Sequence, residues 1–143
     1  MSKVMNSQGY KDLIVYQKVY ACVMKIFKVT LDFPKAETYS LTDQIRRSSR
    51  SVCTNIGEAY RKRIYPKSFI SKLGDSDGEC TETMIHLDFA RDCGYITLRT
   101  YEDLHDEYAQ IGKMSGSMMR SPEKFSVPIL PTAAAGSKTA TAN

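Results

Sequence analysis

Apolar residues recur along this chain at steps of three and four, the period of a helix buried on one face, and no stretch alternates as a strand would. Four segments carry the pattern, at about 10–32, 41–63, 67–93 and 98–120. In the first, Leu13, Tyr16, Tyr20, Val23 and Phe27 form the stripe, widened by Val19 and Ile26. The second carries Leu41, Ile45, Val52, Ile56 and Ala59, with the small Ser48 and Ser49 filling one turn. The third runs Phe69, Leu73, Ser76, Cys80, Thr83, Leu87 and Ala90, and the fourth Tyr101, Leu104, Tyr108, Ile111, Ser115 and Met118. Phe33-Pro34, Tyr65-Pro66 and Cys93-Gly94 separate the segments, as residues that cannot continue a helix. Ser40-x-x-Asp43 and Thr100-x-x-Asp103 predict capping boxes at the second and fourth helix starts.

Short connections set successive helices antiparallel, so the pattern predicts an all-α fold, an up-down four-helix bundle over 10–120. Residues 1–9 are expected to be a flexible N-terminus. From 121 to 143 the periodicity stops. Val127-Pro128-Ile129-Leu130-Pro131 and the Ala-, Thr- and Ser-rich run after it predict a disordered tail. Two apolar residues of the third helix, Ile85 and Phe89, point away from its core line, which predicts an oligomer interface between copies of the chain. Gly74-x-x-x-Gly78 and Gly112-x-x-x-Gly116 mark close helix approach or merely loose helix.

Composition changes this picture little. The 143 residues are 42% hydrophobic and 25% charged, ordinary for a globular domain, and no run approaches the ~20 apolar residues of a membrane span. The first residues lack the apolar core of a signal peptide, so a cytoplasmic location is expected. Charge changes it more. The net is only +4, yet the second segment holds Arg46, Arg47, Arg50, Arg61, Lys62 and Arg63 against Asp43 and Glu58, while the third is net acidic. On the first helix Lys18, Lys25 and Lys28 line a second basic strip. Solvated helix faces supported by i,i+4 pairs are one account of this pattern. A surface that neutralises RNA or DNA phosphates is the other.

Catalytic chemistry finds no support. Cys22, Cys53, Cys80 and Cys93 include no Cys-x-x-Cys, and with two histidines they predict reduced packing thiols, no metal site and no cofactor. Glu102-x-x-His105 stands alone where a di-iron bundle needs two such pairs and further carboxylates. Asp75-x-Asp77-Gly78 lacks the remaining ligands of a calcium loop, and no nucleophile motif occurs. The chain is expected not to be an enzyme.

Several segments together resemble one family. Asp12-Leu13-Ile14-Val15-Tyr16-Gln17-Lys18, Phe33-Pro34-x-x-Glu37-x-Tyr39-x-Leu41-Thr42-x-Gln44-Ile45-Arg46-Arg47 and Ser51-Val52-x-x-Asn55-Ile56-Gly57-Glu58-x-Tyr60 are similar to the opening, first turn and second helix of the 23S rRNA intervening-sequence proteins. Gly94-Tyr95-Ile96 and Ile111-Gly112-Lys113-Met114 resemble that family's last turn and last helix. The run from Phe69 to Ala90 looks more like a related branch, the accessory variability proteins of diversity-generating retroelements. The resemblance implies a homopentameric barrel of bundles with a basic surface that binds nucleic acid and associates with a reverse transcriptase during mutagenic retrohoming. The expected contacts are Arg46, Arg47, Arg50, Arg61, Lys62, Arg63, Lys18, Lys25 and Lys28, and Gln44, Asn55 and Glu58 are expected to make structural hydrogen bonds. Two alternatives stay open: an intervening-sequence protein with an unknown task linked to ribosomal RNA, and a purely structural protein-interaction module.

Overall fold

Each of the four periodic segments is a helix in the computed structural model, which describes residues 9–125. These are α1 (Ile14–Thr30), α2 (Leu41–Arg61), α3 (Pro66–Asp92) and α4 (Leu98–Arg120). Helix α1 meets α2 and α4, and α3 meets the same two, so chain neighbours are spatial neighbours and the four close a ring. The α2–α3 seam is the most extensive and the α1–α4 seam the thinnest. No strand occurs among the described residues.

The core follows the predicted stripes on three helices. All seven residues named on α2 are buried, as are all seven on α3, and on α4 only Tyr101 is partly exposed. Ser48 is buried because its hydroxyl meets Thr83 at 2.8 Å, and Ser76 donates to the Val52 carbonyl at 3.0 Å. Small polar residues thus let α2 and α3 approach without leaving a polar group unpaired. Helix α1 differs. Its buried line is Val15, Val19, Cys22 and Ile26; Val19 and Ile26 belong to the predicted stripe, while Leu13, Tyr16, Val23 and Phe27 are only partly buried and Tyr20 is 53% exposed. The helix is apolar on most of its circumference, so periodicity alone does not select a face.

Ends and turns are set by particular groups. Glu37 caps α2 from outside the helix: its Oε1 accepts from the Leu41 amide at 3.2 Å and from the Ser40 hydroxyl at 2.6 Å. Its Oε2 accepts from the Tyr95 hydroxyl at 2.8 Å, tying the first loop to the last. The predicted Ser40 box is therefore replaced by a Glu37 cap, because Ser40 is turned toward that carboxylate. The α4 cap is likewise Thr97, whose Oγ1 accepts from the Thr100 amide at 3.1 Å, three residues before the expected box. Gly94 ends α3 at φ +76, a left-handed conformation that suits glycine, while the Tyr95 amide reaches back to the Ala90 carbonyl at 2.9 Å.

The bundle extends past the predicted boundary at 120. Pro122–Lys124 forms a short 3-10 turn, and the Phe125 ring stacks on the fully buried Phe69 at 5.8 Å. Residues 121–125 therefore belong to the bundle, because an aromatic ring there has an apolar partner. Residues 126–143 and 1–8, to which the tail and flexible N-terminus expectations mainly apply, lie outside the described residues. Cys93 departs from the packing role too, since it is exposed while the other three thiols are buried.

Candidate nucleic-acid interface

Helix periodicity places Arg47, Arg50, Thr54, Glu58 and Arg61 on one stripe at steps of three and four, spanning roughly 21 Å of α2. All five are exposed. The opposite face carries the buried Ile45, Val52, Ile56 and Ala59, so burial of α2 fixes which way the stripe points. At its N-terminal end, Arg46, Arg47 and Arg50 converge on a cleft of about 570 Å³ with Thr38, Thr42, Asp43, Ser51 and Thr54. Guanidinium forks and hydroxyls are the groups that bind phosphate oxygens.

The expected contacts are not equivalent. Arg46 donates from Nε to the Thr30 hydroxyl at 2.7 Å, and its guanidinium lies 4.9 Å from the Phe27 ring centre. It is fastened to the end of α1 while still lining the cleft. Arg47 pairs across the α2–α3 seam with Glu82, and more loosely with Glu79 at 3.7 Å. Arg63 folds onto Tyr60, 4.0 Å from its ring, and donates to the Tyr60 carbonyl at 2.9 Å. Arg50, Arg61 and Lys62 are exposed and have no ion-pair partner among the described residues.

The lysine strip of α1 is not part of this surface. Lys25 binds Glu107 of α4 at 2.7 Å, and Lys28 lines a separate cleft there with Asp103 and Glu107. The hydrogen bond to Glu107 raises the Lys25 pKa. Burial alone would raise the Glu107 carboxyl, but the Lys25 and Cys22 donors outweigh it and hold Glu107 below its ordinary value, with Lys18 adding in the same direction. The strip sits on the α1–α4 seam among acids, a placement decided by helix rotation, which residue spacing does not encode. Of the residues expected to bond structurally, Asn55 donates to the Ser51 carbonyl at 2.9 Å and Glu58 pairs with Lys72 at 2.9 Å. No side-chain bond of Gln44 is found.

Sequence reasoning missed an aromatic neighbour of the stripe. Beyond Thr54 the surface dips into a pocket of about 310 Å³ lined by Tyr10, Tyr16, Cys53, Thr54, Gly57, Glu58 and Arg61. Tyr10 and Tyr16 meet edge to face at 5.0 Å, and Tyr20 continues the row 6.1 Å from Tyr16. Tyr16 and Tyr20 read as core in a helix period, which hid them.

Ile85 and Phe89 are 47% and 56% exposed, on the far side of α3 from its core line. Phe89 borders a groove of about 440 Å³ with Leu41, Gln44, His86, Cys93 and Tyr39, itself 94% exposed. Burial pushes the thiols of Cys22 and Cys80 up to about 12 and raises that of Cys53, so none of the three is a thiolate near neutral pH. No metal-holding cluster occurs among the described residues, and no described helix is long and apolar enough to cross a membrane.

An all-helical bundle with one basic helix face is the class of protein these features define. The chain belongs to the 23S rRNA-intervening sequence protein family, whose model matches residues 11–117. No match is found among curated proteins. A solved structure from Bacteroides thetaiotaomicron VPI-5482, described as a protein of unknown function from the S23 ribosomal protein family, is similar with a TM-score of 0.69 and 26% identity. The similarity covers 75% of this chain and 99% of that one.

Proposed function

We propose that this chain is a non-catalytic nucleic-acid-binding protein that holds phosphates along the outer face of α2. It assembles with further copies of itself through the α3 face bearing Ile85 and Phe89. The observation that carries the binding reading is the convergence of Arg46, Arg47 and Arg50 on one hydroxyl-lined cleft, in line with the unpaired Arg61. The family's association with an rRNA intervening sequence fits a polyanion partner. The exposed Ile85 and Phe89 side chains, with a groove beside Phe89, support assembly, and the resemblance to retroelement accessory proteins makes five copies the expected number. Association with a reverse transcriptase rests on the Phe69–Ala90 likeness alone, and co-purification with the enzyme of a neighbouring retroelement tests it.

The test of binding is charge reversal at Arg50, Arg61 and Lys62, set against neutralisation of three acids of α3 that make no ion pair with α2. Circular dichroism first establishes that each variant is folded. The reversal lowers affinity for RNA and DNA and flattens its salt dependence, by roughly 0.7–0.9 in slope per lost phosphate contact. A folded variant with unchanged affinity and slope removes the α2 face from the function. Light scattering tests assembly: a mass near 16.1 kDa at micromolar concentration refutes it.

A further inference from the structure

The tyrosine pocket and the arginine cleft share a wall. Thr54 lines both, and Arg61 closes the far side of the pocket on the same helix stripe. A strand whose phosphates follow Arg47, Arg50 and Arg61 therefore passes directly over Tyr10 and Tyr16. Gly57 lines the pocket beside the aromatic wall: a Cβ there would make ordinary contact with the Tyr10 ring at 3.8 Å, and a larger side chain would take up the space the glycine leaves. Its one acid, Glu58, is paired with Lys72 at 2.9 Å, which offsets the repulsion it would exert on a polyanion. Burial, with Cys53 next, pushes the Tyr16 hydroxyl up to about 12, so that ring stays uncharged near neutral pH. Alternation of cationic side chains with accessible aromatic rings is the pattern by which single strands are held: the cations take phosphates and the rings take bases.

Resting on the nucleic-acid reading above, we infer that the Tyr10–Tyr16 pocket receives an unpaired base, making this a single-strand site in which α2 holds the flanking phosphates. A duplex keeps its bases stacked inside and offers the pocket nothing. The groups beside the rings, the exposed Thr54 and the buried Cys53 thiol, give no set of donors that would select one base, so the site tolerates sequence.

The test compares three probes of equal length: an oligothymidylate, an abasic oligonucleotide with the same phosphates, and a duplex. Binding of the full chain is followed by anisotropy of a labelled probe and by quenching of the protein's own emission, which comes from tyrosine because the chain has nine Tyr and no Trp. The oligothymidylate binds at least about fivefold more tightly than the abasic strand, the lower end of what one stacked base supplies. Tyr10→Ala closes that gap while leaving abasic affinity intact. Equal wild-type affinity for base-bearing and abasic strands overturns the pocket and leaves the phosphate surface standing. A gap that survives in a folded Tyr10→Ala variant places the base elsewhere and overturns it too. Binding of none of the probes refutes the phosphate surface, and the pocket with it.

Discussion

Arg46 and Arg50 lie one helix turn apart in the same cleft, yet the structure gives them different work, and alanine at each separates the two roles. Arg46 makes a charge-assisted hydrogen bond to Thr30 at 2.7 Å and a cation–π contact with Phe27 at 4.9 Å. Such a bond is worth ~1.5–3 kcal/mol and such a ring contact ~0.5–1 kcal/mol where solvent still reaches. Arg46→Ala also frees the buried Thr30 hydroxyl, which retains its bond to the Ile26 carbonyl at 2.8 Å, so the hydroxyl is not orphaned. The net loss is therefore about 2 kcal/mol, or roughly 6–10 °C in midpoint for a domain of this size. Arg50 is exposed and unpaired, so Arg50→Ala changes stability by less than ~0.5 kcal/mol. Its effect is on binding, where one lost contact to a single strand reduces the salt slope by roughly 0.7. Urea unfolding and an oligonucleotide titration across a salt series read the two quantities separately. The reasoning fails if Arg46→Ala leaves the midpoint in place, or if Arg50→Ala destabilises as much as Arg46→Ala does.

Cutting the chain after 120 rather than after 125 removes the Phe125–Phe69 stack and lowers stability by ~1–2 kcal/mol; equal melting points for the two truncations would show that the ring contributes nothing. Gly74 and Gly78 sit inside α3 with no atom within 4 Å of an added Cβ, so alanine at each raises stability by ~0.8–1 kcal/mol in thermal or urea unfolding. A fall instead would place a second chain against that face. The hydroxyls of Ser40 and Tyr95 and the Leu41 amide, in that order, hold the Glu37 carboxyl below its ordinary value. Its contribution to stability is then complete above the unfolded carboxylate range and is lost as pH falls through the depressed folded value; Glu37→Gln makes unfolding in urea less sensitive to pH on the acid side.

The bundle was legible because apolar and small residues recur at steps of three and four on α2, α3 and α4. On α3 the line from Phe69 to Ala90 is thin, and Ile70, Ile85 and Phe89 lie off it, yet its regular spacing marks the face that is buried. On α1 the apolar residues run almost all the way round, so of the expected stripe only Val19 and Ile26 are fully buried, and the tyrosines counted with them lie toward the surface. Caps were misplaced for a related reason. Serine and threonine at a helix start compete with any nearby carboxylate or hydroxyl, and which partner wins depends on loop geometry that spacing does not encode. Charge composition picked out α2 correctly as the basic helix, but pairing across seams is a property of helix rotation. Neither the Arg47–Glu82 pair nor the Lys25–Glu107 pair has a signature within its own segment.

That pairing decides how much of the basic charge bears on function. Opposite net charges on α2 and α3 cancel in part at their shared seam, where Arg47 meets Glu79 and Glu82 and Glu58 meets Lys72. Arg61 and Lys62 remain unpaired, but they stand at the C-terminal end of α2, where the helix dipole favours cations whatever the surface is for. Their position therefore has a second explanation beside phosphate contact, and they discriminate less between the two. Arg50 is different: it lies mid-helix, where the dipole offers nothing, and it is exposed and unpaired in a cleft walled by hydroxyls and two further arginines. No ion pair of the described residues uses its charge. The proposed phosphate contact would use it, so the binding proposal rests on Arg50 more than on the larger basic cluster at the helix end.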